Sequence, residues 1–270
     1  MLKLVILIIY FAVLIGIGLY CRKHATDVNG FVLGGRSVGP WLTAFAYGTS
    51  YFSAVVFVGY AGQFGWKYGI AATWAGIGNA IIGSLLAWVV LGRRTRIMSQ
   101  HLDSATMPQY FGKRFGSNPL KIGASVIIFI FLIPYTASLY NGLSRLFGMA
   151  FNIDYSVCII IMATLTAIYV IAGGYMATAI NDFIQGIIML FGIVAVIAAV
   201  IHSKGGFMSA LQGLANVSDP AVSKTPGIFA SFFGPDPFNL LCVVILTSLG
   251  TWGLPQMVQK FYAIDNEASI

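Results

Sequence analysis

One acid stands alone beside an apolar run long enough to cross a bilayer. Between Asp154 and Lys204 the sole formal charge is Asp182, within Tyr169-Val-Ile-Ala-Gly-Gly-Tyr-Met-Ala-Thr-Ala-Ile-Asn-Asp-Phe-Ile-Gln185. A carboxylate at the edge of hydrocarbon is costly unless it faces water, a partner or an ion. The chemistry available to it there is to attract and release a cation. A carboxylate held at the interface by nearby bases is the competing reading. A second group lies in Trp41-Leu-Thr-Ala-Phe-Ala-Tyr-Gly-Thr-Ser-Tyr-Phe-Ser-Ala-Val-Val-Phe-Val-Gly-Tyr-Ala-Gly62, whose middle holds Gly48, Thr49, Ser50, Tyr51 and Ser53. Helical spacing puts Thr49, Phe52 and Ser53 on one side. Glycines and hydroxyls permit local unwinding, because side chains and neighbouring helices satisfy the freed backbone groups. Carbonyls exposed in this way bind sodium in transporters. Close helix packing through small residues accounts for the same composition equally well.

Two prolines add to the pattern. Pro134-Tyr135-Thr136 interrupts an apolar run, and the proline removes a helical hydrogen bond there. Tyr135 and Thr136 then line a cavity or simply pack. Thr247-Ser-Leu-Gly-Thr-Trp-Gly-Leu-Pro255 again mixes hydroxyls, glycines and a proline. Two interrupted spans in one chain point to a transport site near the middle of a membrane.

These residues need a membrane scaffold, and the composition supplies one. The chain is 58% hydrophobic and 9% charged, where soluble domains run near about 25% charged. Seven apolar runs fall at about 4–20, 41–63, 70–91, 122–148, 155–174, 182–201 and 238–258, each near the roughly 17–25 residues a spanning helix needs. The fold class expected is an all-α polytopic membrane protein. Gly173-Gly174 predicts a tight turn between the fifth and sixth spans. Thr106-Met-Pro-Gln-Tyr-Phe-Gly-Lys-Arg-Phe115 is too polar to span and predicts a short interfacial helix with Pro108 in its first turn. A second short helix is expected in the loop at 202–237.

The net charge of +7 reads as basic cytoplasmic loops rather than nucleic-acid binding. With the N-terminus outside, ten bases fall in cytoplasmic loops, Lys260 and the Arg93-Arg94-Thr-Arg96 cluster among them, against five outside. Residues after about 258 are then cytoplasmic. Cys21, Cys158 and Cys242 have no metal spacing and read as reduced packing residues. An intramembrane enzyme finds no paired acids, no His-Glu-x-x-His and no nucleophile–base pair here, so no catalytic residue is expected.

Four blocks, in order, resemble the sodium:solute symporter family. They are Leu33-Gly-Gly-Arg-Ser-Val-Gly-Pro40, the second span with Gly59-Tyr-Ala-Gly62, the block Ala172–Gln185, and Pro255-Gln-Met-Val-Gln-Lys-Phe-Tyr-Ala263. The resemblance implies the inverted-repeat fold of the leucine-transporter type. Residues 1–30 would be the extra N-terminal helix and its loop, and 31–201 the first five-helix repeat. Residues 202–237 would be an external loop, and 238–270 the first helix of a second repeat. It implies symport of a small organic solute with Na+ as coupling ion and no other cofactor. Sodium would bind the backbone carbonyls of Thr49 and Phe52. Asp182 would lie on the inward ion pathway and Arg36 at the cytoplasmic entrance. Ser53, Tyr135, Thr247 and Thr251 would fall at the substrate cavity.

Departures from the family pattern narrow the expectation. Tyr51 stands where some members carry an aspartate. No acid occurs between Asp27 and Asp103, and Val55-Val56 occupy the stretch where sugar carriers place polar side chains. Amino acids and organic acids remain open as solutes. The family's second repeat is represented by one helix, so the chain is expected to lack the hydroxyl half of the sodium site and to need a C-terminal half. A membrane sensory module with a symporter-like fold and a non-functional truncated transporter are the alternatives.

Overall fold

The computed structural model describes residues 2–52, 60–217 and 225–270. Among the described residues there are helices and no strands, apart from one isolated bridge between Val38 and Ile264. The chain opens with α1, Leu2–Cys21, an unbroken apolar helix. The short α2, Val28–Leu33, starts at Asp27, whose carboxylate accepts the Gly30 N–H at 3.1 Å, and stops at left-handed Gly34. Helix α3, Pro40–Tyr51, has its proline in the first turn, where the missing N–H costs nothing. Helix α4, Ala61–Tyr68, ends at Gly69.

Next come α5, Thr73–Gly78, two π-helical stretches at Asn79–Leu86 and Trp88–Gly92, and α6, Arg93–His101. The expected interfacial helix is α7, Met107–Phe115. Its start is written locally: Thr106 accepts the Gln109 N–H while Gln109 Oε1 accepts the Ala105 N–H, a reciprocal cap. Helix α8, Asn118–Phe151, runs on through Pro134, and α9 covers Tyr155–Ser203. Then follow α10, Phe207–Ala215, in the loop that called for a short helix, α11, Pro237–Gly250, and α12, Pro255–Ala263.

Among the described residues, three helical stretches are long and apolar enough to cross a membrane, and a fourth if α11 and α12 are counted as one broken span. The fifth and sixth apolar runs lie together in α9. Its 49 residues would reach about 74 Å as one straight helix, far more than a bilayer of about 30 Å. Gly174, at φ 57° and ψ −150°, breaks it into two pieces of spanning length. The expected tight turn is thus a single non-helical residue. Exposed Phe129, Phe131, Ile171 and Phe191 would be a liability in water and suit lipid.

The chain forms two compact units. The first comprises 1–55, 88–186 and 254–270, and the second 56–87 and 187–253. The first unit's core joins Leu33, Ala46, Tyr175, Ala179, Val258 and Tyr262. A second aromatic cluster, Tyr47, Tyr51, Met257 and Phe261, packs α3 on α12. The second unit packs Tyr68, Ala71 and Ala75 on Leu240 and Val244.

Candidate functional site

The first unit brings together the end of α3, the middle of α9 and α12. At Phe52 the backbone leaves the helix, with φ −91° and ψ 66°. Thr49, Ser50 and Tyr51 therefore form the last turn of α3. Leu254, extended at φ −68° and ψ 128°, precedes α12. Helix α9 reaches α3 because Gly186 has no side chain. A Cβ there would fall 2.5 Å from the Phe45 ring and 3.1 Å from Thr49 Cγ2. The Phe45 and Phe183 rings meet edge to face at 4.8 Å beside it. This close seat brings the stretch of α9 that carries Asp182, one turn earlier, alongside the last turn of α3, where the Thr49 hydroxyl donates to Phe45 O at 2.9 Å.

Asp182 does not stand alone. Lys260 Nζ of α12 lies 3.7 Å from its Oδ2, with the lysine side chain 7% exposed and the aspartate 23%. The ammonium also lies 5.0 Å from the centre of the Tyr175 ring, within range of a cation–π attraction. Two cavities meet here. One of about 320 Å³ is lined by Asp182, Lys260, Tyr175, Thr178 and Ser50. The other, about 450 Å³, is lined by Thr49, Tyr135, Thr136 and Leu139. Ser50, Gln256 and Gln259 line both. Gln259 donates to Val32 O. Both amide atoms of Gln256 are buried with no hydrogen-bond partner. Carboxylate, hydroxyl and amide oxygens form a donor set suited to a hard cation.

The structure thus groups Thr49, Tyr135 and Asp182 around adjoining cavities. Phe52 stands at the end of α3 beside Tyr51. Ser53 lies outside the described residues. Thr247 and Thr251 belong to the second unit. There Thr247 donates to Val243 O and accepts from Asn79, while Thr251 donates to Ser248 O. Tyr51 is buried among aromatic rings, beside Tyr47, Phe52 and Phe261.

Arg36 holds the near side of the unit. It donates to Ser104 O at 3.0 Å, Ser99 O at 3.3 Å and Ser99 Oγ at 3.4 Å. Burial, and then the neighbouring Arg96, lower its pKa from the usual guanidinium value. Arg96 is itself buried and donates to Ile264 O at 2.7 Å and Asp265 O at 3.0 Å. A backbone bridge, Val38 N–H to Ala263 O and Asp265 N–H to Val38 O, ties the same end of α12 to the approach to α3. Arg96→Met should leave two carbonyls short of partners, each at about 1–3 kcal/mol. Trypsin should then cut after Lys260 in the folded protein, where the parent resists. Equal cleavage of the two would show that Arg96 does not anchor α12.

Sequence reasoning counted Lys260 and Arg96 among the loop bases; the structure places them in helices α12 and α6, and each is buried. It also missed Gln256 and Gln259. One signal was present, since Lys260 is the sole base between Lys224 and the end of the chain, as solitary in its stretch as Asp182.

Comparison with known proteins places the chain in a family. The model of the sodium:solute symporter family matches residues 31–270. Sodium/proline symporters of Staphylococcus aureus strains JH9 and NCTC 8325 are 33% identical over 270 residues, covering 96% of this chain and 49% of theirs. The chain therefore spans about half the length of the curated relatives it matches. A solved structure of a Na+-coupled sialic acid symporter, substrate-bound and outward-open, superposes with a TM-score of 0.65 over 97% of this chain and 61% of its own. At 15% identity that likeness speaks for the fold. With a multi-pass apolar architecture, interrupted helices α3 and α12 at a shared cavity, and a family match across nearly the whole sequence, this chain belongs to the sodium:solute symporter family.

Proposed function

We propose that the chain forms the part of a sodium-coupled symporter that admits the ion and a small organic solute and releases them inward. The observation that carries this reading is Asp182: a partly buried acid, beside two interrupted helices, in a cavity rich in oxygen donors. Backbone carbonyls of Thr49 and Phe52 are the proposed first ligands of sodium, and Asp182 is the acid it passes on leaving. Tyr135, in the cavity with Thr49, and Ser53 are the proposed solute contacts. Sodium and solute are coupled because both favour one conformational state, so each raises the other's affinity. The proposed partners are Na+, the solute, the lipid bilayer and a C-terminal half of the kind its relatives carry.

The orientation proposed places the N-terminus outside. Burial removes Arg96 and Lys260 from the loop charge, but exposed Arg93, Arg94, Lys113 and Arg114 keep the bias. The solute proposed is a small amino or organic acid. Proline is the first to test, because the Staphylococcus relatives are named for it.

The test is uptake into proteoliposomes holding the protein at its natural length. An inward sodium gradient should drive accumulation of one labelled amino or organic acid, and replacing sodium by choline should abolish it. Accumulation that proceeds equally in choline would overturn the coupling to sodium.

A further inference from the structure

We propose that Lys260 is a tethered cation that occupies the Asp182 carboxylate until sodium displaces it, making the ion pair a latch on the ion path. The inference rests on the reading of Asp182 as the acid of that path, and adds a role for a residue of α12 that does not itself bind the ion.

Charge is the first argument. Each residue is the single charge of its own apolar stretch, and the fold brings the two together across α9 and α12 inside one cavity. Removing either partner of a buried pair leaves an uncompensated charge, which is far costlier than the pair itself. The ammonium therefore leaves the carboxylate readily only when another cation takes its place. With sodium on the oxygen side the carboxylate stays paired, and the displaced ammonium, still tethered inside the protein, needs a seat of its own.

Geometry is the second argument. At 3.7 Å the contact is longer than the roughly 2.7–2.9 Å of a charge-assisted hydrogen bond. The pair is in place but not locked. Oxygens that suit sodium line the same cavity as the carboxylate: the hydroxyls of Ser50 and Thr178 and the side-chain amides of Gln256 and Gln259.

Lys260 also has somewhere to go. The Tyr175 ring is 5.0 Å from Nζ on another side. Gln256, one turn earlier on α12, lines the cavity with its amide oxygen buried and unpartnered. A ring face and a carbonyl oxygen are a neutral seat for a displaced ammonium. A lysine on a flexible stem can move between the two positions, whereas an arginine's planar fork would grip the carboxylate with two hydrogen bonds.

The latch sets the apparent sodium affinity. A carboxylate that is covered nine-tenths of the time binds sodium about tenfold more weakly than the same carboxylate uncovered. The experiment is a sodium titration of the purified protein at its natural length, followed by thermal stabilisation in detergent, with choline holding ionic strength constant. Lys260→Met should bind sodium about tenfold more tightly than the parent, and Lys260→Arg several-fold more weakly. Equal sodium affinity in the folded Met variant would overturn the latch. Should Lys260→Met fail to fold, the arginine variant decides, and an affinity equal to that of the parent would overturn it. Asp182→Asn separates the two readings. Loss of its sodium response upholds Asp182 as the ion-path acid whatever the lysine variants do. A parental sodium response in Asp182→Asn would remove that reading and the latch with it.

Discussion

Asp182→Ala is expected to lower stability by about 3–5 kcal/mol, because it strips the counter-charge from Lys260 and leaves a buried ammonium unpaired. The side chain of Lys260 is 7% exposed, so water cannot take over. Its aromatic neighbour Tyr175 offers less than a carboxylate does. Adding Lys260→Met to Asp182→Ala should restore most of the loss, since a buried pair replaced by apolar groups is often neutral or stabilising. Thermal unfolding of both single variants and the double variant in detergent measures this. The account requires the double variant to be more stable than Asp182→Ala. Losses that add to within about 0.5 kcal/mol would mean that the two charges do not depend on each other.

Gly174→Ala should damage the first unit severely. At φ 57° and ψ −150° the backbone sits where side-chain-bearing residues are strained by about 1–3 kcal/mol. The added Cβ would also stand 2.8 Å from Phe31 O and 3.1 Å from Phe31 Cα. Those are backbone atoms, so the clash is relieved only by moving α2 or the break in α9. Either shift would disturb the cavity that Phe31, Gly174 and Asp182 share. The control is Gly192→Ala, further along α9, where a Cβ would meet nothing within 4 Å and where alanine should gain about 1 kcal/mol as the better helix former. Membrane yield and unfolding temperature should fall for Gly174→Ala and hold or rise for Gly192→Ala. Equal behaviour of the two would mean that the break in α9 tolerates a side chain.

Much of this architecture is legible in the sequence because its signals are local. The short helix after Thr106 is announced by its own capping residues. The breaks at Phe52 and Leu254 fall where glycine, hydroxyls and proline loosen an otherwise apolar run. The solitude of Asp182 is visible without any fold. What was not legible is pairing at long range. Lys260 follows an apolar run, and a base in that position ordinarily marks a cytoplasmic loop. Only the packing of α12 on α3 and α9 turns it inward. Arg96 reads as one of a cluster of three arginines, yet it alone of them is buried, drawn in by the carbonyls at the end of α12.

Hydroxyls were the other difficulty. Thr49, Thr247 and Thr251 look alike in sequence, and in the structure each donates back to its own helix, as short polar side chains in helices commonly do. Neighbours rather than composition separate them. Thr49 faces α9 at Gly186 and lines the cavity with Tyr135, while Thr247 accepts from Asn79.

The central claim is that sodium passes by Asp182 and that its passage drives the solute. The most direct test is the sodium dependence of solute uptake in proteoliposomes carrying equal amounts of the parent and the Asp182→Asn protein. The account predicts that Asp182→Asn needs about tenfold more sodium for half-maximal uptake, or takes up no solute at all while remaining folded. Two superimposable curves would contradict it.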